Sequence, residues 1–326
     1  MKPPKSTPPR PPVTAPPPVR PGDRVGVAAL SGPVDPAKLD AGVRALEALG
    51  FEVVEAPNVR RRHGLFAGSE RERLDGFHGL AADPDLRAIL FARGGWGVLR
   101  LLDGVDWGLL ARHPRAYVGY SDLTPFLTAV VEKLGVAAFH GPMVAADFAR
   151  GLLDVERSSF LDALAGRFPL RYPVAEVEST PAVEGPLLGG CLSLIASSFA
   201  TPWAGEWDDA LLFIEDVGEP PYRFDRMLTH LRLSGTLARI RGLIVGHLHA
   251  EGGCEATAWG GEVTLGGLLH ELAADFPWPL ARGLEAGHSS PNLTLPLGLT
   301  ARLEPSTRSL TVGLFPPSAS LPGRTP

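Results

Sequence analysis

From Asp23 onward, short apolar runs rich in Val, Ile, Leu and Ala alternate with amphipathic stretches of helical length. Residues 25–30 read as a first strand. Asp35-Pro36 then supplies an N-cap and a first helical residue, for a helix that stops at Gly50. Residues 51–55 follow as a strand, and Ser69-Glu70-Arg71-Glu72 has the capping-box spacing that opens a helix to about residue 82. The uninterrupted apolar run 88–92 predicts a strand buried on both faces, as in a parallel sheet. A strand at 117–120, a helix after Ser121 and a strand near 137–139 complete this half. The alternation predicts an α/β fold built on an open parallel sheet covered on both faces.

Residues 166–185 are rich in Pro, Glu and Ser and read as a linker. Beyond them the pattern predicts helices at 192–199, 223–233 and 265–276, strands at 211–214 and 243–246, and two short β runs at 299–303 and 309–312. The expected organisation is an N-terminal domain over 22–165, the linker, and a smaller C-terminal α/β domain over 186–315, with tails at 1–21 and 316–326. The first 21 residues hold ten prolines and almost no large apolar side chains. Such a segment buries too little surface to offset its ordering entropy, so it is expected to be extended or disordered.

Composition narrows the function classes. The 326 residues are 44% hydrophobic and 21% charged, with a net charge of -5, which argues against nucleic acid as a partner. No apolar run approaches the roughly 18 residues a membrane span needs, and the N-terminus lacks a secretory apolar core. Two cysteines, Cys191 and Cys254, are too few for a disulfide framework and point to the cytoplasm.

Four clusters carry candidate chemistry. Ala116-Tyr117-Val118-Gly119-Tyr120-Ser121-Asp122 ends a strand at a sharp turn into a helix. Such a turn lifts a serine hydroxyl above the sheet and sets the next N–H where an oxyanion can be held, although Leu123 replaces the last Gly of G-x-S-x-G. The alternative at this position is that Ser121 or Asp122 caps the helix. Arg93-Gly94-Gly95-Trp96-Gly97 follows the 88–92 strand, with a backbone open to close approach but without P-loop or G-x-G-x-x-G spacing. Glu215, Asp216 and Glu219 sit at the end of an apolar strand, where α/β enzymes keep their sites. His288 lies in the small-residue turn Gly287-His288-Ser289-Ser290-Pro291-Asn292. His247, His249, Glu251 and Cys254 crowd into eight residues, but their spacing matches no closed zinc site, so no metal or cofactor is expected.

Together the four clusters resemble the LD-carboxypeptidase family of serine peptidases, which includes the microcin-immunity hydrolases. The blocks that carry the likeness are A-G-S-E-R-E-R-L, A-R-G-G-W-G-V-L-R-L-L, V-G-Y-S-D-L-T, F-H-G-P-M, G-G-C-L-S-L, F-I-E-D-V-G-E-P-P-Y-R-F-D-R-M-L and G-L-E-A-G-H-S-S-P-N-L-T-L-P-L-G. The resemblance implies a flavodoxin-like N-terminal domain, a smaller C-terminal α/β domain and a homodimer. It also implies a Ser-His-Glu triad: Ser121 as nucleophile, His288 as general base, and Glu215 as the acid that orients it, with Glu219 as the competing acid. Gly94-Gly95 and the backbone N–H of Asp122 stand as oxyanion donors, and Arg93 as a cation for a substrate carboxylate. Two positions depart from the family pattern: Cys191 stands where Asn is common, and Ala29-Leu30-Ser31 where Ala-Pro-Ser is common.

The implied reaction cuts an L,D-peptide bond and releases terminal D-alanine from cytoplasmic murein tetrapeptide during wall recycling. One alternative is a microcin-immunity-type hydrolase of aminoacyl-nucleotide amides, whose members carry a longer insert with an aromatic for base stacking. Here the span from Ser121 to Glu215 is compact, with Trp203 and Trp207 inside it. The other alternative, a non-catalytic binding protein on the same scaffold, fits poorly with an intact Ser121, Glu215 and His288.

Overall fold

The capping signals of the first half become structure through the hydrogen bonds they advertise. In the computed structural model, which describes residues 12–178, 181–250 and 264–313, Asp35 accepts from the N–H groups of Ala37 and Lys38 and Pro36 opens helix α1 (Pro36–Ala48). Ser69 and Glu72 close a reciprocal capping box at the start of α2 (Glu70–Ala82). Residues 1–11, 179–180, 251–263 and 314–326 lie outside the described residues, and with them Glu251, Cys254, most of the Pro-rich start and the C-terminal tail.

Strands β1 (Arg24–Ala28), β2 (Glu52–Glu55), β3 (Leu86–Phe91), β4 (Ala116–Gly119) and β5 (Ala138–His140) form a parallel sheet in the order 2-1-3-4-5. This is the flavodoxin-like order, whose crevice lies at the carboxyl ends of the strands, where the order reverses between β1 and β3. One face is covered by α1 and by α5 (Asp154–Leu164), through Leu39, Leu46 and Phe160. The other is covered by α2, α3 (Trp107–Arg112) and α4 (Thr124–Leu134). There Phe126 meets Phe77, Phe91 and Tyr117 with ring centroids 5.3 to 5.4 Å apart.

The second half builds an eight-stranded mixed sheet. Its parallel centre is β8 (Val183–Cys191), β9 (Leu211–Glu219), β10 (Gly242–Ala250) and β11 (Leu280–Arg282). Antiparallel strands β6 (Leu170–Pro173) and β7 (Glu176–Glu178) lie at its two edges, with β13 (Thr300–Glu304) and β14 (Ser309–Val312) between β6 and β8. Helices α6 (Leu192–Ser198), α7 (Pro221–Leu233) and α8 (Leu265–Ala274) accompany it. A continuous apolar core joins the two sheets, running from Phe77 and Phe126 to Leu188, Phe213 and Ile244.

Three sequence expectations change. Residues 166–185 are not a free linker, because they carry β6, β7 and the start of β8, with the edge strands held by β14 and β11. Leu295–Leu297, unassigned by its pattern, is strand β12, which returns to pair antiparallel with β5 of the first sheet. Residues 12–21 are extended but packed: Thr14 donates to the Gly135 carbonyl and accepts from Ala137, while buried Val19 donates to Leu164. Thr14 and Val19 supply the N–H groups that the neighbouring prolines lack. Among the described residues no helix is long and apolar enough to cross a membrane.

Candidate active site

Loops leaving β1, β3 and β4 meet at the carboxyl end of the first sheet. Ser121 follows β4 with φ +63°, a left-handed conformation that costs a non-glycine residue roughly 1–2 kcal/mol. Strain of this kind persists only where surrounding structure enforces it. The enforcement is visible in Asp122. Its buried carboxylate accepts from Ser31 Oγ at 2.7 Å and from the Val98 N–H at 3.0 Å, so it ties the loops after β1 and β3 to the turn after β4. Burial pushes the Asp122 carboxyl up, while Ser31 and the N–H groups of Val98 and Gly97 pull it back. Neither Ser121 nor Asp122 caps the helix that follows. The missing final glycine of the elbow costs nothing, because Leu123 has ordinary right-handed angles and packs in the core.

Gly94 lies directly against the serine. A Cβ built there falls 2.9 Å from Ser121 Cβ and 3.0 Å from its Oγ. Gly94→Ala is therefore expected to push the hydroxyl out of place, lowering kcat/KM about 100-fold with the melting temperature nearly unchanged. Steady-state kinetics beside a thermal melt checks this, and wild-type kinetics in the variant would remove Gly94 from the site. Gly95, at φ +122°, adopts a backbone conformation open only to glycine in practice, and a Cβ there would sit 3.2 Å from the Gly32 nitrogen. Arg93 is exposed and bridges the two loops, with Nε on the Gly94 carbonyl (3.2 Å) and Nη1 on the Pro33 carbonyl (3.1 Å).

The second sheet brings the other two residues. Glu215 is fully buried on β9, in register with Cys191 of β8. His288 lies in the loop beyond β11, and its Nδ1 is 2.6 Å from Glu215 Oε2. The approach needs Gly287, whose φ is +126° and where a Cβ would lie 2.7 Å from that same carboxylate oxygen. The Tyr120 ring meets the His288 ring edge-on at 5.0 Å, which sets the histidine beside the residue preceding Ser121. Glu219 turns away, paired with Arg223 at 3.1 Å.

Charge in this pocket is held asymmetrically. Burial alone would lower the His288 pKa, but the facing Glu215 carboxylate outweighs it and the net shift is upward. Burial pushes Glu215 up and the imidazole draws it back, so the two titrate as a pair. His140 stands apart. It is buried between the Tyr120 and Phe213 rings, and burial together with the nearby His288 and His247 lowers its pKa to about 3, which keeps it neutral.

Of the candidate zinc cluster, His247 and His249 support the His288 loop instead. His247 Nδ1 accepts from the Ser289 N–H at 3.3 Å, and His249 Nε2 lies 2.5 Å from Ser289 Oγ. Among the described residues no group of three or more His, Cys, Asp or Glu side chains is placed to hold a metal ion. Cys191 is buried, and its backbone N–H donates to Thr124 Oγ1 at 3.0 Å, joining β8 to α4. Ser31, Tyr120, His140 and Asn292 shape the site although the sequence assigned them no role. His140 and Asn292 do fall inside quoted blocks, F-H-G-P-M and G-H-S-S-P-N.

The chain matches the family model of the LD-carboxypeptidase N-terminal domain over residues 25–141 and that of the C-terminal domain over 184–303. It is 35% identical over 299 residues to the probable murein peptide carboxypeptidase of Bacillus subtilis, covering 89% of this chain and 92% of the relative. Its fold overlays the muramoyltetrapeptide carboxypeptidase from Oxalobacter formigenes with a TM-score of 0.81 at 31% identity, covering 90% of this chain and 99% of the other. The microcin C7 self-immunity protein MccF of Escherichia coli is 23% identical over 325 residues, 89% of this chain and 93% of the relative. Its wild-type structure gives a TM-score of 0.85, covering 94% of this chain and 99% of the other, a likeness of fold.

Proposed function

The chain belongs to the LD-carboxypeptidase family of serine peptidases, and from that premise we propose that Ser121, His288 and Glu215 act as its triad on a muropeptide. The observation that carries the reading is the 2.6 Å contact between His288 Nδ1 and a fully buried Glu215, with the His288 ring against Tyr120, the residue that precedes Ser121 at φ +63°. A serine hydroxyl is a weak nucleophile until a base takes its proton, and the base works only when a third group fixes its tautomer and orientation. Glu215 accepts from Nδ1–H, which leaves Nε2 to take the Ser121 proton. Ser121 Oγ then attacks the carbonyl of an L,D-peptide bond. The tetrahedral oxyanion is held by backbone N–H groups at Gly95 and Asp122, His288 returns the proton to the departing D-alanine amine, and water resolves the acyl-enzyme. Arg93, exposed above the same loops, is the candidate partner for the substrate carboxylate. The substrate is a murein tetrapeptide in the cytoplasm, and the working form is a homodimer.

The aromatic residues that would favour the nucleotide-amide reading are occupied. Trp207 is a buried core residue, and the Trp203 ring meets Trp107 at 5.8 Å, tilted by 32°, while its indole N–H donates to Asp103 at 3.0 Å. Lys133 Nζ lies over the Trp203 ring at 4.8 Å, so that ring is engaged as well. The deciding experiment incubates the purified protein with murein tetrapeptide and, separately, with an aminoacyl-nucleotide amide. Release of D-alanine from the first is expected. Cleavage of the amide alone would move the protein to the immunity-type reaction, and binding of either without turnover would support the non-catalytic reading.

A further inference from the structure

We propose that Glu156 is a positioning residue for the base, clamping the loop 287–292 so that His288 stays against Glu215. Glu156 lies on α5, far in sequence from that loop, and is fully buried. Its Oε1 accepts from the Asn292 N–H at 2.7 Å and from Ser290 Oγ at 3.3 Å. Arg150 grips both carboxylate oxygens, at 2.5 and 3.1 Å, and the Leu153 N–H donates to Oε2 at 2.7 Å. A buried carboxylate is tolerated only when its lone pairs are filled, and here they are. Burial opposes ionisation, but Arg150 and the two N–H groups outweigh it, so the group stays charged.

The clamp reaches His288 through Asn292. With its backbone held by Glu156, Asn292 turns its Oδ1 onto the Gly287 N–H at 2.9 Å, so both flanks of the base loop are fixed. One turn along α5, Ser159 Oγ accepts from the Thr294 N–H at 3.0 Å and continues the same grip. Across the loop, β10 supplies the opposing contacts of His247 and His249 to Ser289. The charged and titratable groups facing His288 are Glu215 and Asp216 of β9, Asp147 of the wide π-type turn Val144–Phe148, His140 of β5 and His247 of β10, with the Tyr120 ring edge-on to the imidazole and His249 on the adjacent Ser289. Glu156 is not among the groups touching the imidazole, so its influence is exerted through the loop.

The inference rests on the triad reading, and two readouts that need no muropeptide separate the failure of one from the other. The first is the rate at which a fluorophosphonate labels Ser121, followed against pH. The second is the downfield proton resonance of the short His288–Glu215 hydrogen bond, assigned by its loss in His288→Ala. In the full chain, Glu156→Gln is expected to slow labelling about 10- to 100-fold, move its acid limb to lower pH as His288 drifts from Glu215, and broaden or abolish the resonance. Asn292→Ala leaves Glu156 and its ion pair intact and cuts the side-chain links of Asn292 to Gly287 and His140. It is expected to act in the same direction, and it decides alone if Glu156→Gln does not fold. A lowered melting temperature with labelling rate, acid limb and resonance all unmoved would make Glu156 a plain stability residue. Wild-type protein that shows the resonance but never labels would count against the triad and leave the clamp to be judged on the resonance.

Discussion

Ser121→Ala should lower D-alanine release from murein tetrapeptide by about 10⁴-fold or more while leaving the fold intact. The expectation is large because the reaction as proposed has no second nucleophile to fall back on. What survives is the contribution of the oxyanion donors and of binding. The fold should be indifferent, because the turn is imposed by its surroundings. Asp122 remains bonded to Ser31 and Val98, Leu123 stays in the core, and Gly94 meets a smaller side chain rather than a larger one. Alanine at φ +63° bears the same left-handed strain as serine, so the two chains should melt within a few degrees of one another. Release of D-alanine, measured with an amino-acid oxidase coupled assay, together with a thermal melt, checks both halves. Turnover at the wild-type rate in Ser121→Ala would sink the nucleophile assignment.

Glu215→Gln should cost about 10³- to 10⁴-fold in kcat, whereas Glu219→Gln should change it less than about threefold. A glutamine at 215 offers an amide N–H where Nδ1–H needs an acceptor, which favours the wrong imidazole tautomer. Glu219 makes only a partly exposed ion pair with Arg223, and such pairs contribute little. The pH profile gives an independent reading. His288 must be neutral to accept the serine proton, so activity falls as pH drops through its pKa. Glu215 raises that pKa, which places the wild-type acid limb above the ordinary histidine value of about 6.5. Removing the carboxylate removes the elevation, so the residual activity of Glu215→Gln should persist to lower pH than wild type. A rate loss confined to Glu219→Gln would reverse the choice of acid, and an acid limb unmoved in Glu215→Gln would detach that residue from His288.

The elements legible in the sequence are those whose chemistry is local. Asp35-Pro36 and the Ser69–Glu72 box start their helices because a cap satisfies backbone N–H groups within three residues of itself. The apolar run of β3 declares a strand buried on both faces, and Gly135 ends α4 in the left-handed conformation it alone takes cheaply. Edge strands were illegible because pairing makes them. Residues 170–173 and 176–178 have the composition of a linker and become strands only because β14 and β11 present open edges to them. Leu295-Pro296-Leu297 crosses back to β5 as an edge strand, where a proline is tolerated.

The site divides along the same line. Residue types and their family order were enough to nominate Ser121, Glu215 and His288, and to identify Glu219 as a rival acid. That His288 meets Glu215 and not Glu219 was decided by the burial of Glu215 within β9 and by the space left at Gly287, which no spacing along the chain contains. The side-chain roles of Asp122, Ser31 and Glu156 likewise have no motif, because each acts on a segment distant in sequence: Ser31 and Asp122 are 91 positions apart, Glu156 and Asn292 are 136. The sequence by itself determined the fold class, the local starts and stops of its helices, and the chemical inventory of a serine peptidase. Which acid faces His288, and what holds Ser121 in its strained turn, came from the tertiary structure alone. Those choices depend on approaches between loops and strands far apart in sequence but close within each sheet: the loops after β1, β3 and β4 in the first, and β9 with the loop beyond β11 in the second.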